Sequence, residues 1–155
     1  MEKRLFIGVR GGIIAGILKD IPDAFFYYGL KITNITFLDY AGVIVLGHRP
    51  RGMAEYFYSI IFEAIFSILL GIIFVYFTTR LEAKHYLLWG AYYGAIVWFA
   101  IRAAVLGLNI RLLADGHILT AFINSLDSII YGMILGYIIR YMEKKEKLLE
   151  KQIND

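Results

Sequence analysis

The chain contains no cysteine, which removes disulfides, thiolate nucleophiles and cysteine-ligated metals from every reading of it. Charge is scarce as well: 19% of its 155 residues are charged, against about 25% in a soluble domain. No Walker loop and no dinucleotide fingerprint occurs, so the chain does not drive transport with its own nucleotide hydrolysis. His48, His85 and His117 fall at loops or helix ends and show no metal-ligand spacing. No catalytic residue, cofactor site or metal site is therefore assigned, and an enzyme ranks below the non-enzymatic readings.

What the chain does have is apolar length. Hydrophobic residues make up 59% of it, and a helix that crosses a bilayer needs about 20 mostly apolar residues to match a hydrocarbon core of roughly 30 Å. Residues 57–77, 86–108 and 118–142 meet that need, each interrupted by no more than two charged residues. A fourth helix is expected over residues 5–28, where Lys19, Asp20, Pro22 and Asp23 interrupt the apolar run and Pro22 loosens the helix. A signal peptide over residues 1–18 fits less well, because Arg10 breaks the apolar stretch and no Ala-x-Ala type of cleavage site precedes Lys19. Between the first two spans, residues 37–47 form a shorter apolar run interrupted by Asp39, of a length that suits an interfacial or re-entrant segment. The expected fold is thus all-α: a four-transmembrane-helix bundle in residues 1–142, then a charged cytoplasmic helical tail over 143–155. In the tail a Glu143–Lys147 pair and an apolar edge of Leu148, Leu149 and Ile153 support a helix. Asp115 is read as a cap, and Gly116 as a turn, leading into the last span.

Basic residues set the orientation. Lys3, Arg4, Arg80, Lys84, Arg140, Lys144, Lys145, Lys147 and Lys151 fall on the side of the two termini, and Lys31, Arg49, Arg51 and Arg111 on the other. Both termini are therefore expected in the cytoplasm of a multi-pass protein of the cell membrane. The net charge of +3 then reflects insertion and contact with membrane lipids, with no nucleic-acid partner. Tyr27, Tyr28, Tyr56, Tyr58, Tyr86 and Trp89 near the span ends suit an aromatic belt.

Ionisable residues within spans are costly and face a bundle interior or a wet cavity. At 1.5 Å per residue, Glu63 and Arg102 lie about 6 and 7 Å outward of their helix midpoints, close enough in depth to pair. Asp127 lies about 3 to 5 Å outward, and Lys19, Asp20 and Asp23 occupy the outward half of the first helix. The cluster, with Asn124 on the last span, is acidic overall, so a carboxyl keeps its proton or a cation enters. Arg10, in the inner half, is expected to snorkel to the headgroups.

Small residues recur at four-residue spacing. Gly8, Gly12 and Gly16 lead toward Asp20; Ser59, Glu63, Ser67 and Gly71 mark the second span; Gly90, Gly94, Trp98 and Arg102 mark the third. On the fourth, Thr120, Asn124, Ser128, Gly132, Gly136 and Arg140 form one stripe with Asp127 beside it. Such stripes let helix backbones approach closely, within the bundle or at an oligomer interface. A faint duplication aligns residues 68–73 with 133–138, so that Gly71 and Gly136 follow Glu63 and Asp127 at similar distances. The leading functional expectation is a homo-oligomeric conduit for ions, protons or small solutes that uses the polar cluster. The alternatives are a structural or accessory subunit bound to a partner membrane protein, and a lipid-binding or lipid-handling protein.

Overall fold

The computed structural model describes residues 2–80, 85–114 and 117–154. Among them the chain is all-helical, without a strand: α1 (Glu2–Ala24), α2 (Phe37–Leu46), α3 (Met53–Arg80), α4 (Tyr86–Gly107), α5 (Arg111–Ala114) and α6 (Ile118–Asn154). Asp115, Gly116 and Lys84 lie outside the described residues, as do the side chains of Lys147, Leu149 and Ile153 in the tail. Three helices are long and apolar enough to cross a membrane: α3, α4, and α6 over Ile118–Glu146. They contain the spans expected over 57–77 and 118–142, and α4 matches 86–108 to within a residue. α1 has the length but carries too many charges to join them.

Pro22 does not break α1. It sits near the helix end, and a π-helical turn over Phe25–Gly29 continues the chain, with the Leu30 N–H donating to the Phe25 carbonyl at 3.0 Å. Losing the N–H of Pro22 removes one helical bond at a point where the helix is already widening, which a helix end tolerates. The apolar segment at 37–47 forms α2, started by a capping box in which Thr36 and Asp39 satisfy each other's backbone N–H groups. Gly47 ends it in the left-handed conformation, at φ 78°. α5 is a single extra turn between α4 and α6 that the hydropathy pattern does not mark.

The long helices associate in two close pairs, α1 with α3 and α4 with α6, and α1 also lies along α6. Glycine is what makes both pairs close. A methyl at Gly8 would lie 2.7 Å from the Ile72 Cα, and one at Gly12 2.8 Å from the Ile68 Cα, while Gly71 meets the Gly8 carbonyl. In the second pair a methyl at Gly90 would lie 2.8 Å from the Gly132 carbonyl carbon and one at Gly94 2.9 Å from that of Ser128. Gly16 packs on Ser67 and Gly136 on Tyr86, so every glycine of the four stripes is used within the chain. The Ser67 hydroxyl donates to the Gly12 carbonyl at 2.7 Å, and that of Ser128 to the Gly94 carbonyl at 3.2 Å.

These contacts reproduce one another in register, and they correct the alignment read from the sequence. Gly71 meets Gly8 and Gly12 as Gly132 meets Gly90 and Gly94, so the counterpart of Gly71 is Gly132 and not Gly136. The same displacement carries Ser67 to Ser128, and Glu63 to Asn124 rather than to Asp127. The apolar core has two parts. Ile7, Ala15, Phe74, Val75, Tyr131, Leu135 and Ile139 fill the space between α1, α3 and α6. Ile35, Tyr40, Val43, Trp98, Val105 and Leu113 form a second cluster where α2 and α5 close one end.

Replacing Gly94 by Ala is expected to destabilise the protein by about 1–3 kcal/mol, because the methyl meets backbone rather than a movable side chain. Gly107→Ala, which faces open space, should leave stability within about 0.5 kcal/mol. Thermal unfolding in detergent checks the contrast, and equal effects of the two substitutions would show that the glycine contact does not limit stability.

Candidate functional site

The glycine face of α1 continues as Lys19 and Asp23, both buried, while the Asp20 side chain stays 45% exposed at the rim. This revises the expected course of the stripe toward Asp20. Lys19 Nζ lies 2.5 Å from Glu63 Oε1 and 2.7 Å from Asp20 Oδ1, and it sits 4.0 Å from the centre of the Phe37 ring. The close α1–α3 approach explains this geometry: with Gly12 and Gly16 against Ser67, Lys19 falls one turn further along, level with Glu63.

The pairing expected between Glu63 and Arg102 does not form. Arg102 donates instead to the carbonyls of Leu113 at 2.9 Å and Ala114 at 3.1 Å, while Arg49 donates to those of Leu112 at 3.1 Å and Asn34 at 3.0 Å. The last carbonyls of a helix have no intrahelical donor and sit at the negative end of its dipole, so cations settle there. Two guanidinium groups thus take the three consecutive carbonyls that end α5. Arg10 is exposed, apart from the cluster.

Asp23, Asn124 and Asp127 form the other half of the cluster. Asp23 Oδ2 accepts the Phe37 N–H at 2.9 Å, which anchors the first turn of α2 to α1. Asp127 is 1% exposed, and neither of its carboxylate oxygens has a hydrogen-bond partner among the described residues. Asp23 Oδ1 and Asn124 Oδ1 are likewise buried without a partner there. Asp127 faces Asp23 and Lys19 closely enough for their charges to interact. Asn124 reaches the Ile35 carbonyl at 3.5 Å, under the start of α2. Nearby, burial pushes the Tyr40 hydroxyl above its ordinary pKa, with Arg102 opposing the shift.

Of the residues singled out from the sequence, Lys19, Asp20 and Glu63 come together, Asn124 and Asp127 lie beside them, and Arg102 is engaged elsewhere. The sequence places Asp23 in the outward half of the first helix, and the structure buries it there, 4% exposed. Its place four residues after Lys19, on the face that Gly8, Gly12 and Gly16 define, is the signal that marks it.

A cavity of about 280 Å³ opens beside this cluster between α3 and α4. α2 roofs it, and Lys19, Glu63, Ser67 and Tyr131 form its floor. The Tyr131 and Ser67 hydroxyls lie 3.2 Å apart, and Tyr131 also donates to the Ser67 carbonyl at 3.2 Å, so the hydroxyl pair is satisfied internally. Among the described residues no group of three or more His, Cys, Asp or Glu is arranged to hold a metal ion.

An all-helical chain with three helices fit to cross a bilayer defines the class: a helical membrane protein. Residues 24–150 match a family of unknown function, DUF6789, and the chain belongs to that family. The match takes in Glu63, Arg102, Asn124 and Asp127 and leaves out most of α1, with Lys19. No curated protein and no solved structure matches the chain.

Lys19→Met should cost about 3–5 kcal/mol, since it leaves the Glu63 carboxylate buried with no cation. Adding Glu63→Gln to it should restore more than half of the loss. Unfolding midpoints of the two variants in one detergent decide this, and a double variant no more stable than the single one would refute a buried ion pair.

Proposed function

We propose that this protein is a four-helix bundle of the cell membrane, with α1 as the fourth crossing and both termini in the cytoplasm, and that it binds protons or small cations at Asp127, Asp23 and Asn124. The carrying observation is Asp127, a carboxylate buried in the hydrocarbon-depth part of α6 with both oxygens unpartnered among the described residues. An isolated carboxylate in low dielectric is costly by many kcal/mol. It is relieved by taking up a proton or by coordinating a cation. Asp23 beside it doubles the demand, and the available positive groups are committed: Lys19 to Glu63 and Asp20, Arg102 to the carbonyls of α5. Two carboxyl groups and an amide oxygen, all oxygen donors, suit a proton or a hard cation. Four helices are few for a complete path, and the proposal includes assembly of several copies into a conduit, with this site as its binding station.

Two measurements test the reading. The absence of cysteine lets single cysteines be placed freely. Lys145→Cys should react with a membrane-impermeant maleimide only after the membrane is opened, and Asn109→Cys should react in intact cells; labelling of both from outside would overturn the topology. In proteoliposomes under an imposed proton or sodium gradient, wild type should pass current that Asp127→Asn and Asp23→Asn reduce to the level of empty liposomes. A wild type no more conductive than empty liposomes would end the conduit reading.

A further inference from the structure

The groove between α3 and α4 has no part in the cation site: Asp23, Asn124 and Asp127 do not line it. The register of the two glycine-packed pairs makes its origin visible. A repeat of this kind offers two cross-contacts, α1 against α6 and α4 against α3. The first is formed along much of its length, whereas the second is made by side chains, Tyr93 on the Leu70 carbonyl and on Phe74 and Trp89 on Phe77, so the bundle is open beyond them. Phe62, Phe66 and Val97 wall the opening, and Ala41 of α2 lies above it. Phe62, Ile65 and Leu69, which line the groove, are exposed. In a bilayer the medium outside them is hydrocarbon, so what fills the groove is a hydrocarbon chain.

The floor decides which amphiphile the groove takes. Lys19 and Glu63 line it as a neutral pair, able to donate one hydrogen bond and accept another. Glu63 lies about 6 Å from the middle of its helix, whereas headgroup phosphates lie beyond the hydrocarbon boundary, about 15 Å from the middle. A phospholipid with its chain in this groove would drag its charged headgroup into the hydrocarbon. A hydroxyl at that depth would instead donate to Glu63 and accept from Lys19, and carry no charge inward. The volume of 280 Å³ lies near the small end of ligand pockets, about 300–1,000 Å³, enough for part of one chain and too little for two. We propose that the groove between α3 and α4 binds a neutral single-chain amphiphile ending in a hydroxyl group, a long-chain or isoprenoid alcohol, with the hydroxyl on the Lys19–Glu63 pair and the chain leaving sideways into the bilayer.

Trp98 reports on this site. Its ring packs edge-on against Phe37 at 5.9 Å and Tyr40 at 5.7 Å, and both of those rings line the groove. In a Trp89→Phe background it is the remaining tryptophan. Full-length protein in detergent is titrated with octadecanol brominated at mid-chain, and in parallel with phosphatidylcholine carrying the same brominated chain. The alcohol should quench Trp98 saturably, at a mole fraction roughly tenfold below that of the phospholipid, the discrimination of one or two buried hydrogen bonds. Ala41→Phe and Val97→Phe, which fill the groove from different helices, should each remove the saturable component. Equal, non-saturating quenching by both lipids in the Trp89→Phe protein would overturn the proposal, as would saturable binding of the phospholipid at the lower mole fraction. That comparison stands even if both filled variants misfold.

Discussion

Backbone touches backbone at two places in this molecule, and almost everything else follows from that contact. Gly12 against Ser67 and Ile68, and Gly94 against Ser128 and Ile129, hold each helix pair closer than any side chain would allow. At that separation a serine hydroxyl spans the gap to a carbonyl of the opposite helix, and it does so once in each pair. In hydrocarbon no hydrophobic force draws helices together, so packing of this kind and the bonds it permits have to supply the association. The contact also sets the level at which Lys19 meets Glu63, one turn beyond Gly16. A bulkier residue on that stripe would push α1 from α3 and lift the ammonium away from its acid.

The two halves agree in how they pack and differ in what they bury. Where the first pair sets Lys19 against Glu63, the displacement that superposes the glycine contacts leads to Ile101 and Asn124. The charge of one half thus becomes an apolar residue and an amide in the other. Arg102, which at first sight restores a base to the second half, is drawn off to the end of α5. Chemistry therefore gathers where the halves diverge, on α1, on the adjoining faces of α3 and α6, and under α2. The packing that the halves share leaves no ionisable group in their contacts.

Much of this was legible beforehand, for reasons that differ from residue to residue. The three apolar spans follow from hydropathy, which depends on composition and not on neighbours. The glycines at four-residue spacing pointed to close helix contacts, and the structure spends all of them inside the chain. Partners were harder to read. Glu63 and Arg102 share a depth, but depth is one coordinate, and the sequence holds no mark that α5 would form and offer unsatisfied carbonyls to the arginine. The depth of Asp23 was left open because Pro22, one residue before it, was read as loosening the helix there, whereas a π turn keeps the face continuous. The alignment of Gly71 with Gly136 followed apolar letters, which recur by chance in any membrane helix; the true register is carried by serine and glycine. The groove was invisible because it arises from a contact that one half makes along its length and the other only in part.

The one-turn helix α5 is gripped by an arginine from each half of the chain. Arg49 arrives from the connection that follows α2 and Arg102 from α4, and together they hold its terminal carbonyls. On its other side Asn34, whose carbonyl Arg49 also takes, is bonded to Thr120 at the start of α6. The connectors of the two halves are thereby buckled into a single clasp. Each arginine holds carbonyls of its own, so this end of the molecule is tied to both halves of the chain and not to one loop.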